Sequence, residues 1–181
     1  MITAAFTFGK EVYHSETSTI EVDGFEVIAT IYQDDTGDDP WDREEGHGPV
    51  SKWTTRDKAP GERVLCQDRS SKIYYDFAEA VKIARKDGWG SDGDEGLTPG
   101  AKAARAVEAD FERLRAFCAG GWGYIGVAIT VSRKGVRLTE EYAHALWGIE
   151  SDCGLYCNDV AKDLTEEAIE DANNILADLL R

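Results

Sequence analysis

The stretch Ile20-Glu-Val-Asp-Gly-Phe-Glu-Val-Ile-Ala-Thr-Ile31 decides the fold. Ile20, Val22, Phe25, Val27, Ala29 and Ile31 alternate with Glu21, Asp23, Glu26 and Thr30, the period of a strand with one buried face. Asp23-Gly24 interrupts the alternation where a two-residue hairpin turn belongs. Residues 11 to 33 therefore read as antiparallel strands, and Phe6 and Phe8, also alternating, extend the pattern as a candidate first strand.

Working outward, Arg63 to Cys66 and Ile73 to Tyr75 read as short strands around a Pro60-Gly61 turn and a polar loop. Asp76-x-x-Glu79 matches a capping box, Phe77, Ala80, Val81 and Ala84 share a helical face, and Asp87-Gly88 ends that helix. Thr98-Pro99 supplies a cap and a first-turn proline for a second helix, with Ala104, Val107, Phe111, Leu114 and Cys118 as its apolar stripe and Gly120-Gly121 at its end. Strands are expected at Tyr124 to Val131, at Val136 to Leu138 after a Lys134-Gly135 turn, and at Ala143 to Ile149. Residues 152 to 163 read as a short helix, and Thr165 as the cap of a last one whose Ile169, Ala172, Leu176 and Leu179 face inward. Regular βαβ alternation is absent. The expectation is a single α+β domain over residues 1–181, a mostly antiparallel sheet packed with three to four helices, with no internal repeat. Two acidic, glycine-bearing loops, near 34–49 and 87–97, are expected to be flexible.

The chain of 181 residues carries a formal charge of −15. A nucleic-acid binder neutralises phosphates with Lys and Arg, so this balance argues against direct nucleic-acid binding; the same field would attract a basic protein partner, and it serves equally for solubility alone. The charge is uneven: nine basic residues against six acidic from Lys52 to Asp87, but two basic against eleven acidic from Glu140 to Arg181. No apolar run approaches the ~20 residues of a membrane span, and Met1 to Lys10 lacks the pattern of a secretory signal. The expectation is a cytoplasmic protein without membrane association, its cysteines Cys66, Cys118, Cys153 and Cys157 reduced. Base rates for self-association favour a symmetric homodimer.

Motifs with chemical content are few. Gly121-Trp-Gly-Tyr-Ile-Gly126 spells a dinucleotide-binding pattern, but a helix precedes it and a strand follows, the reverse of the required order. Asp92-Gly-Asp94-Glu-Gly96 begins like a calcium loop that Pro99 cuts short. Cys153 and Cys157 are spaced too widely for a structural zinc pair, and a Cys–His catalytic pair with His47 or His144 needs a distant meeting. Neither a cofactor nor a metal is expected. Two clusters remain. The acidic one, Asp34, Asp35, Asp38, Asp39, Trp41, Asp42, Glu44 and Glu45, is a candidate partner-binding surface. The polar one holds His47, Trp53, Arg56, Arg63 and Arg69, groups that could stack on a base and hold phosphate, or pair internally with neighbouring carboxylates.

Three stretches resemble a family of uncharacterised proteins encoded by bacteriophages and prophages: His47 through Arg69, Tyr75-Asp-Phe-Ala-Glu-Ala-Val-Lys-Ile-Ala-Arg-Lys-Asp-Gly-Trp89, and Ala145-Leu-Trp-Gly-Ile-Glu-Ser-Asp152. The helix at Ala101 to Cys118 fits the same pattern. The resemblance implies a phage-type origin and brings no activity. Small acidic phage proteins often inactivate a host defence or redirect a host enzyme, some by resembling DNA in charge, and the acidic C-terminal region and Asp34 to Glu45 would be the surfaces for that here. The leading expectation is thus a non-enzymatic accessory protein that binds and inhibits a host protein with a basic surface. The alternatives are a module for a small ligand or nucleotide signal and an unrecognised small enzyme.

Overall fold

The computed structural model describes residues 5–12, 15–36, 38–43, 46–91 and 96–179. Among them the elements run β1 (Thr17–Val22), β2 (Phe25–Gln33), β3 (Val50–Trp53), β4 (Glu62–Gln67), β5 (Lys72–Asp76), α1 (Phe77–Asp87), α2 (Pro99–Cys118), β6 (Tyr124–Arg133), β7 (Val136–Arg137), β8 (His144–Glu150) and α3 (Tyr156–Leu179). Every strand pairing is antiparallel, so the protein belongs to the α+β class, as its sequence indicates. The chain forms two compact units, Met1–Thr36 with Trp122–Arg181, and Gly37–Gly121, the second inserted into the first.

In the first unit β1 and β2 form the expected hairpin, with Ile20 opposite Val27 and Asp23 and Gly24 turning at φ +52° and +79°. β6 pairs with β2 along one edge. Its other edge is shared by β7, at Ser132 and Arg133, and by β8, from Tyr124 to Ile129. Val27, Ala29, Ile31, Val127, Ile129 and Val131 are completely buried on one face of this sheet, where α3 contributes Val160, Ala161, Ala168 and Ala172 to the same core. Each fully buried aliphatic side chain of this kind is worth about 1.5–3 kcal/mol.

Three expectations need correction here. Phe6 and Phe8 enter the core but are not in a strand: Phe8 is held by Asn158, whose Oδ1 accepts its N–H at 2.9 Å and whose Nδ2 donates to its carbonyl at 3.2 Å. α3 is one helix through residues read as a break. Thr165 is fully buried in mid-helix and donates its hydroxyl to the carbonyl of Ala161 at 2.7 Å, so it satisfies itself inside the helix instead of capping one. Leu179 points outward at the helix end, 74% exposed.

In the second unit the sheet order is β3-β5-β4, and α1 and α2 pack on it around Leu65, Tyr75, Ala80, Ala84, Val107, Phe111 and Leu114. The expected caps are present. Asp76 accepts from the N–H of Glu79 at 2.9 Å, Gly88 closes α1 in the left-handed region, and Thr98 accepts from the N–H of Ala101 at 3.3 Å. β3 is an addition. Its four residues include Ser51 and Lys52, too short and polar a run for periodicity to mark. α2 turns Ala103, not Ala104, fully inward.

Candidate functional site

The polar cluster of the second unit is already occupied by internal partners. Asp110 on α2 accepts from Tyr75 OH at 2.6 Å and from the N–H of Gly48 at 2.9 Å, and holds His47 Nδ1 at 2.5 Å. Burial, then donation to Asp110, drives the Tyr75 phenol far above its ordinary pKa. A Cβ on Gly48 would fall 2.5 Å from Tyr75 Cζ and 2.6 Å from Ala80 Cβ, so only glycine lets this loop reach the carboxylate. The Arg56 guanidinium lies 4.3 Å from the Trp53 ring and donates to both oxygens of Glu62, at 2.7 and 3.0 Å, which holds the Glu62 carboxyl below its usual range. Arg63 lies 3.5 Å from the Phe77 ring centroid and donates to both oxygens of Glu108 at 2.8 Å. Arg69 is exposed in the turn between β4 and β5. His47, Arg56 and Arg63 thus go to three different carboxylates and do not converge on one ligand. Among the described residues no serine, threonine or cysteine side chain hydrogen-bonds to His47.

The acidic cluster divides between the units. Asp34 accepts from the N–H and hydroxyl of Thr36, and Asp35 and Asp38 are exposed. Asp39 and Asp42 share the Lys52 ammonium at 2.6 and 3.1 Å, and the hydrogen bond to Asp39 is the main cause of a raised Lys52 pKa. Trp41 is half-buried, edge-on to Phe117 with centroids 6.0 Å apart, and the Lys52 ammonium sits 5.5 Å from its ring. It anchors the segment. Glu44, Glu45 and Asp92 to Glu95 lie outside the described residues.

A third surface, on the first unit, joins the acidic C-terminal region to β8, a strand that carries no candidate site residue in the sequence reading. β8 is an edge strand: among the described residues it pairs only with β6. Its register shifts opposite Gly126, where Gly148 adopts φ +78°, and this bulge places consecutive large side chains, Leu146 and Trp147, in solvent at 41% and 42% exposure. The Trp147 indole lies on Gly126: a Cβ there would be 2.7 Å from Cδ2 and Cζ3 and closer still to Cε3. Tyr32 and Tyr142 stand around the indole, centroids 6.2 and 6.0 Å away. Tyr32 donates to Glu141 at 2.9 Å, and burial together with that carboxylate pushes its phenol up to about 12. Beside Trp147 runs an open groove of about 480 Å³, bounded by Leu146, Ile149, Glu150, Cys153 and Tyr156.

α3 borders the same strand. At about 100° per residue, Tyr156, Asp159, Asp163, Glu166, Glu167, Glu170 and Asp171 fall within one arc of roughly 140°. That arc faces β8 at its inner limit, where Asp171 Oδ2 lies 3.3 Å from His144 Nε2. Asp159, Asp163, Glu166, Glu167 and Glu170 are exposed, and none forms an ion pair with a described residue. The signals were in the sequence, as Leu-Trp-Gly inside a strand pattern and a run of acids at helical spacing. Period-two alternation makes the first an ordinary strand, and a cap at Thr165 divides the second between two helices.

Among the described residues no group of three or more His, Cys, Asp or Glu side chains is arranged to hold a metal ion, and no helix is long and apolar enough to cross a membrane. No family model, curated protein or solved structure matches the chain.

Proposed function

We propose that this chain is a non-enzymatic accessory protein of phage origin that binds the basic surface of a host protein and blocks it, using the β8 and α3 flank of its first unit. The observation that carries the reading is the one-sided carboxylate row of α3 alongside an aromatic groove on an open strand. From Asp159 to Asp171 six carboxylates span roughly 18 Å of helix, about one per 3–4 Å. Phosphates follow each other at about 3.4 Å along one strand of DNA, so the row offers a basic groove a comparable density of charge. Trp147 and Tyr156 add the aromatic anchors that concentrate energy at protein interfaces, Leu146 adds apolar area, and the carboxylates supply steering and a polar rim.

The test is capture from nuclease-treated bacterial lysate on immobilised protein, with three variants in parallel. One neutralises Asp159, Asp163, Glu166, Glu167 and Glu170 to their amides, one is Trp147→Ala, and one reverses Asp34, Asp35, Asp38 and Asp39. The reading expects a nucleic-acid-binding protein retained at low salt and released at high salt, lost with the first two variants. Its binding to DNA or RNA should be competed by the wild-type chain. Capture that all variants retain equally refutes the reading. Loss confined to the third variant moves the contact to the 34–45 segment.

A further inference from the structure

Two thiols meet at the entrance to α3. Cys153 Sγ lies 2.8 Å from Cys157 Sγ, roughly 0.8 Å beyond the length of a disulfide bond, and both cysteines are free. The backbone around Cys153 is fixed: its N–H donates to the Glu150 carbonyl at 3.1 Å, and the N–H of Gly154 donates to the Lys10 carbonyl at 3.1 Å. The pair is asymmetric. Cys153 is part-exposed and lines the groove beside Trp147 and Tyr156, whereas Cys157 is completely buried in the core of the first unit. Burial is the first cause, and Cys153 the second, of a Cys157 thiol held well above the ordinary thiol range. One sulfur is therefore open to a molecule in the groove and the other is placed to react only with its neighbour. An accessible thiol backed by a second in contact with it is an arrangement in which thiol–disulfide exchange can end in an internal disulfide.

We propose that Cys153 and Cys157 form an exchange site for a low-molecular-weight disulfide that enters the β8 groove. Cys153, its proton released to solvent, attacks one sulfur of the incoming disulfide. That S–S bond breaks, one thiolate leaves, and the other half stays on Cys153 as a mixed disulfide. The departed thiolate takes up the proton of Cys157. Cys157 then attacks Cys153 Sγ, the mixed S–S bond breaks, and the second half leaves as a thiolate that takes a proton from water. Two protein thiols are oxidised to one disulfide and one small disulfide is reduced to two thiols, with no other electron acceptor. The site shares the β8 groove with the partner-binding surface proposed above but does not rest on that reading.

The experiment exposes the reduced, full-length protein to glutathione disulfide, alkylates the remaining thiols under denaturing conditions and digests with trypsin. Residues 138–162 form one tryptic peptide holding both cysteines, while Cys66 and Cys118 fall in separate peptides. Those two are the internal control: neither lines the groove, and burial first, then the neighbouring Cys66, push the Cys118 thiol up to about 11. The expected product is peptide 138–162 unalkylated and lighter by two hydrogens, while Cys66 and Cys118 remain alkylated. In Cys157→Ser the glutathione adduct should stay on Cys153, and in Cys153→Ser no adduct should form on Cys157. The proposal is overturned if wild-type peptide 138–162 stays doubly alkylated, if the adduct persists on wild-type Cys153, or if Cys157 of Cys153→Ser carries the adduct. The wild-type readout needs no variant to fold.

Discussion

Replacing Gly126 with alanine tests whether the Trp147 seat is as tight as its geometry states. The added methyl would stand 2.7 Å from two ring carbons of the indole and nearer to a third, so one partner must move. The backbone of Gly126 is held between β2, opposite Tyr32, and β8, whereas Trp147 is 42% exposed and free to swing outward. The ring yields. A tryptophan buries roughly 150–250 Å², so giving up the covered 58% returns about 90–145 Å² to water, a ceiling of about 2–4 kcal/mol. Alanine in place of glycine within a strand recovers about 0.5–1 kcal/mol. The net expectation for Gly126→Ala is a loss of about 1–3 kcal/mol, with a similar loss for Trp147→Ala. With the indole gone the methyl has nothing to strike, so the double variant should be no less stable than Trp147→Ala alone. Urea denaturation followed by far-ultraviolet circular dichroism gives the four stabilities. Both residues belong to the first unit, so the four variants differ in that unit's stability. A coupling of about 1–3 kcal/mol is expected. Additivity within about 0.5 kcal/mol would refute the claim that these two residues share one packed site.

Asp110→Ala should cost about 3 kcal/mol in urea titration, because it orphans the buried Tyr75 hydroxyl and the Gly48 N–H together, while Glu108→Ala on the exposed side of the same helix should cost under about 1 kcal/mol. Stability should fall above about pH 9 and more steeply above about pH 10: the Cys157 and Cys118 thiols and then the Tyr75 and Tyr32 phenols have pKa values raised in the folded state, so the unfolded chain loses those protons first, and Tyr75→Phe should flatten the steeper part. Thr165→Val should change stability by less than about 1 kcal/mol, since it keeps shape at a buried mid-helix site; a loss nearer 2 kcal/mol would suit the capping role that the sequence suggested. Neutralising the five exposed carboxylates of α3 should stabilise the protein by about 1 kcal/mol at low salt, less at high salt, because Asp159 with Asp163, Asp163 with Glu167 and Glu166 with Glu170 are like charges four residues apart.

What was legible in the sequence is what local physics determines. The hairpin at Asp23-Gly24, the Asp76 and Thr98 caps and the antiparallel α+β class rest on turn chemistry, capping and periodicity, and each is present. The misreadings arise where a local signal has two solutions. Thr165 before Glu166 and Glu167 reads as a helix start, yet a threonine can equally return its hydroxyl to the carbonyl four residues back, and burial selects that option. The β8 surface was missed because period-two reasoning assigns Leu146 and Trp147 to opposite faces, whereas a bulge at Gly148 exposes both. The pairing of Arg56 with Glu62, six residues on, was within reach of the sequence. That of Arg63 with Glu108 was not, because it depends on where α2 packs.

The two units treat charge in opposite ways, and this bears on what the acidity is for. In the second unit basic groups meet carboxylates: Arg56 with Glu62, Arg63 with Glu108, Lys52 with Asp39 and Asp42, and Lys72 with Asp57. On α3 Asp159, Asp163, Glu166, Glu167 and Glu170 form no such ion pair with a described residue, and no basic residue stands in the last turn to complement the helix dipole. A chain needing only solubility could carry the same charge dispersed, at lower cost to any one helix. Here like charges crowd one arc, and the apolar face of α3, through Cys157, Val160, Ala161, Ala168 and Ala172, supplies the burial that outweighs their repulsion. The arc meets β8 at the edge that pairs with no other described strand, where Leu146 and Trp147 are exposed, so unpaired charge and exposed apolar surface share one border. A basic protein surface with an apolar projection is the partner that would satisfy both at once.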